Sequence, residues 1–113
     1  MLTASIVFVV LAIFIGIYMV INGRQGKPHY SKWLPLVHFA MVGIGAILVI
    51  CSAFLTHSIQ LWSNIAVAIV VSALGLTLSH VRLTNSKRTT VLILHSVIAV
   101  FCTLFLIYNT ISA

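Results

Sequence analysis

The sequence predicts an all-α polytopic membrane protein, a single domain over residues 1–113 whose four transmembrane helices form a four-helix bundle. Three observations carry that expectation. Of 113 residues, 62% are hydrophobic and 5% are charged, whereas a soluble domain carries roughly a quarter charged residues. The apolar residues fall into four spans, at about 2–21, 33–55, 61–79 and 90–111, each near the ~20 residues that cross a bilayer. None of these spans alternates polar and apolar residues as the strands of a membrane barrel do.

The first span has no basic segment before it and no small-residue cleavage pattern after it, so a signal peptide is not expected. Gly23, Gly26 and Pro28 break the helix in the segment Asn22 to Ser31. The second span, Trp33 to Leu55, tolerates Pro35 because it falls in the first turn. Thr56 to Gln60 form a short uncharged turn before the third span, and a second basic loop, His80 to Thr89, leads into the fourth.

The chain has no Asp or Glu, and its formal charge of +6 comes from Arg24, Lys27, Lys32, Arg82, Lys87 and Arg88. Carboxylate catalysis, carboxylate sites for calcium or magnesium, and ion coupling through an intramembrane acid are therefore excluded within one chain. All six cations lie in the first and third connections. The positive-inside rule then predicts cytoplasmic basic loops and two non-cytoplasmic termini, in a bacterial inner membrane. Tyr30 and Trp33 would mark the inner interface, and Trp62 and Tyr108 the outer one. No folded basic domain remains to take nucleic acid as a partner. Cys51 and Cys102 both fall inside apolar spans and read as small buried residues.

The halves form a weak tandem two-helix repeat. Gly16, Arg24, Lys32 and His38 in the first correspond to Gly75, Arg82, Arg88 and His95 in the second. Such repeats in one orientation are related by an axis along the membrane normal. Each span also carries a stripe of small residues suited to close helix approach. The stripes are Ser5, Ala12, Gly16 and Gly23; His38, Gly45 and Ser52; Ala68, Ser72, Gly75 and Ser79; and His95, Ala99, Cys102 and Asn109. Both histidines thus face protein, where Gly45 and Ala99 are expected to leave room for whatever they touch. At 1.5 Å per residue, His38 lies roughly 9 Å beyond Lys32 and His95 about 10 Å beyond Arg88, which makes the two level.

An ionisable residue at membrane depth is a functional candidate by default. Neutral imidazole ligates iron, copper and zinc without help from an acid. Diagonal helices of a bundle lie roughly 12–14 Å apart, which suits a haem b between His38 and His95. Arg24, Lys32, Arg82 and Arg88 would meet its propionates through charge-assisted hydrogen bonds. His80 is an alternative axial ligand. This arrangement resembles the membrane b-type cytochromes, whose four-helix bundles hold haem between paired histidines. That resemblance implies single-electron transfer near the cytoplasmic side, with a quinone or redox protein as partner. The other role for each histidine is a hydrogen bond to a backbone carbonyl or hydroxyl inside the bundle.

Two other functions fit the composition. One is a non-catalytic subunit that stabilises a larger membrane complex or a homo-oligomer. The other is a small transporter, since the chain is similar to the small multidrug resistance family in size and hydropathy. That family depends on a glutamate in its first helix, which this chain lacks.

Overall fold

The structure, a computed structural model, describes residues 1–23, 33–81 and 83–112. Within them lie α1 (Leu2–Gly23), α2 (Trp33–Thr56), α3 (Ile59–His80) and α4 (Asn85–Ser112). At 1.5 Å per residue these helices are about 33–42 Å long, enough to cross the ~30 Å hydrocarbon layer. Every helix points large apolar side chains outward. Phe14, Ile47, Ile69 and Phe101, one from each, are all 60% exposed or more. Water would penalise such surfaces and lipid does not, so the chain is an integral membrane protein with four helices long and apolar enough to span.

The helices run past the apolar spans, most clearly in α4. Its first turn holds Asn85, Ser86, Lys87 and Arg88, which by hydropathy alone belong to the preceding loop. Capping explains the extension. The backbone N–H of Lys87 donates to Thr84 Oγ1 at 3.4 Å and that of Arg88 to the Thr84 carbonyl at 2.8 Å, so Thr84 satisfies donors that a helix start leaves open. Thr89 and Thr90 then return their hydroxyls to the carbonyls four residues back.

Between α2 and α3 only His57 and Ser58 lie outside a helix. His57 takes φ 52°, a left-handed conformation that stops α2. Ser58 caps α3, its Oγ accepting from the Leu61 N–H at 3.4 Å.

The chain divides into two compact units, Met1–Leu55 and Thr56–Ala113. The first contains α1 and α2 and the second α3 and α4. In each unit the two helices run antiparallel, because hydrogen-bonded residue numbers rise along one helix as they fall along the other. Ser5 bonds Gly45 and Ala12 bonds His38 in the first hairpin. Asn64 bonds Cys102 and Val71 bonds His95 in the second.

Candidate functional site

Each histidine sits in the seam of its own hairpin. His38 Nδ1 lies 2.8 Å from the Ala12 carbonyl oxygen, and His95 Nδ1 lies 2.9 Å from that of Val71. A carbonyl only accepts, so in both rings Nδ1 carries the donated proton. In the neutral imidazole Nε2 is then the nitrogen with the lone pair. Both rings are half-buried.

A glycine lies beside each ring on the facing helix. A Cβ added at Gly16 would come within 3.3 Å of His38 Cε1, and one added at Gly75 within 3.0 Å of His95 Cε1. Both distances are tighter than nine in ten real Cβ contacts, so with any larger residue the ring must give by a few tenths of an ångström. In each case the glycine is four residues beyond the carbonyl that takes the Nδ1 proton, which puts acceptor and gap on one helix face.

A second polar rung repeats in the same way. Ser5 Oγ donates to the Gly45 carbonyl at 2.8 Å, and Asn64 Nδ2 donates to the Cys102 carbonyl at 3.2 Å. Ser5 and Asn64, Ala12 and Val71, and Gly16 and Gly75 are all 59 positions apart, while His38 and His95, and Gly45 and Cys102, are 57 apart. Two hydrogen-bonded rungs and a glycine against the imidazole thus recur at matching positions in both hairpins. Size is exchanged across the second rung. Gly45 faces Val9, whose Cγ2 would lie 2.9 Å from an added Cβ. In the second hairpin the larger Cys102 corresponds to Gly45, and the smaller Ala68 to Val9.

Gly45 therefore relieves contact with α1 at the level of Ser5, two turns beyond the imidazole, and Gly16 and Gly75 are the glycines that face the rings. Ala99 is half-buried and its carbonyl accepts from Thr103 Oγ1 at 2.9 Å. Arg88 donates from a guanidinium nitrogen to the Leu78 carbonyl at 3.1 Å, across the open end of the second hairpin. His80 is exposed in the last turn of α3. Arg24, Lys32 and Arg82 lie outside the described residues.

Of the sequence stripes, Ser5, Ala12, Gly45, Ser52, Gly75 and Asn109 are buried. Asn64 was not expected there. It is 3% exposed, its Nδ2 also lies 3.1 Å from Cys102 Sγ, and its buried Oδ1 has no partner among the described residues. Its signal was a carboxamide inside an apolar span, seven residues before Val71 on the same face. Asn109 closes the far end of the second hairpin by donating to the Gln60 carbonyl at 3.4 Å.

Among the described residues no three His, Cys, Asp or Glu side chains gather as a metal site. Compared with known proteins, the chain matches no family model, no curated protein and no solved structure.

Proposed function

We propose that this is a small b-type cytochrome-like membrane protein in which His38 and His95 are the axial ligands of one haem b. Electrons pass within the bilayer, to or from a quinone or a redox protein. The observation that carries the reading is the repeated bond from Nδ1 to a carbonyl. Metal-ligating histidines almost always donate their second ring N–H to a carbonyl, carboxylate or water, which fixes the ring's orientation. In both hairpins that donor is engaged and Nε2 is the ligating nitrogen. Two imidazoles with no nearby acid suit haem iron, and the haem, when bound, supplies one-electron chemistry. The chain's own part is orientation: Ala12 and Val71 hold Nδ1, while Gly16 and Gly75 leave space for the rings. The expected setting is a bacterial inner membrane with basic loops in the cytoplasm and both termini outside.

The test is a reduced-minus-oxidised spectrum of protein purified in mild detergent from cells with ample haem. A b-type band is expected, lost in His38→Ala and in His95→Ala and kept in Gly43→Ala, where an added Cβ meets nothing within 4 Å. A colourless wild type would contradict the reading.

The same rungs favour a second reading, because each imidazole already has a partner inside its hairpin. In that case the histidines hold helices together and the chain is an accessory subunit of a larger membrane complex. Both histidine variants would then stay bound to the partner chains and no preparation would carry a haem band.

A further inference from the structure

We propose that the open end of the second hairpin, where α3 stops and α4 starts, binds the phosphate of an anionic phospholipid. Lys87 and Arg88 both lie in the first turn of α4 and are exposed, and His80 is exposed at the end of α3. Cations at a helix start oppose its macrodipole, which places roughly half a positive charge there. The local field is therefore positive from side chains and backbone together. The chain holds six Lys and Arg and not one Asp or Glu, so no side chain of its own can neutralise them. Arg88 is fixed by its bond to the Leu78 carbonyl, but a carbonyl leaves the charge whole and guanidinium donors remain for a second acceptor. Phosphate supplies both the charge and the acceptor oxygens. At the end of two membrane-spanning helices the abundant phosphates are those of lipid headgroups, and an anionic surface attracts such basic segments.

The full-length protein in neutral detergent is titrated with phosphatidylglycerol or with phosphatidylcholine, and bound lipid is counted by native mass spectrometry. Phosphatidylglycerol is expected to be retained at least tenfold better. Lys87→Gln should weaken that retention about fivefold, the equivalent of ~1 kcal/mol for one cation near an anionic surface. Among the described residues Lys87 uses only its backbone N–H in a hydrogen bond, so this variant removes charge without opening the hairpin. The Lys87→Gln, Arg88→Gln pair should lose one bound lipid entirely. Equal retention of the two lipids, or unchanged retention in the double variant, would overturn the proposal. So would displacement of the lipid by an equal concentration of inorganic phosphate, which would assign the site to a free anion.

Discussion

Placing an imidazole between membrane helices is costly unless its N–H finds an acceptor, and the acceptor helps only if the ring can approach it. Both conditions are met by a backbone carbonyl and a glycine one turn apart. The consequence is graded by distance. Gly75→Ala forces a Cβ to 3.0 Å from His95 and should destabilise the protein by about 1–3 kcal/mol, as overpacking does. Gly16→Ala, at 3.3 Å from His38, should cost less. Gly43→Ala should be neutral or slightly stabilising, by up to ~1 kcal/mol from helix propensity. Unfolding in an SDS titration ranks the three, and equal effects at all positions would remove the glycines from the account. The histidines were legible in the sequence because ionisable side chains stand out in an apolar span. Their acceptors were not, since a backbone carbonyl has no residue signature, and Ala12 and Val71 look like any other apolar position.

At the scale of the helix pair, register is set by two polar rungs seven residues apart on each helix. Interhelical bonds of this kind contribute about 0.6 kcal/mol each and at most ~1.7, so they choose the register more than they supply the stability. Packing between the rungs must then match in size. Gly45→Ala drives a Cβ to 2.9 Å from a stiff Val9 methyl, and Val9→Ala in the same chain should recover most of the loss. A double-mutant cycle reads the coupling, expected at about 0.5–3 kcal/mol, and simple additivity would contradict the packing described. Four helices and their repeat were visible in hydropathy and in the spacing of glycine, cation and histidine. The start of α4 was not, because Asn85 to Thr89 are polar and only the Thr84 cap marks them as helical. Asn64 was hidden for a different reason: it replaces the serine of the first hairpin, so its role emerges only when the two rungs are compared.

For the whole molecule, the sequence carries the membrane setting, and the proposed orientation follows from where the cations fall. In a Cys51→Ala, Cys102→Ala background, Ser58→Cys should react with an impermeant maleimide on intact cells. Ser86→Cys should react only after permeabilisation. The reverse pattern would invert the topology. At every scale the proposed reading rests on two imidazoles that give Nδ1–H to a backbone carbonyl. The most direct measurement is ¹⁵N solid-state NMR of histidine-labelled protein in lipid bilayers, without added haem. Two imidazole signals of the Nδ1–H tautomer, each lost in its own His38→Ala or His95→Ala variant, are the predicted result. Nε2–H signals at these positions would contradict it, because the nitrogen required for ligation would already be protonated.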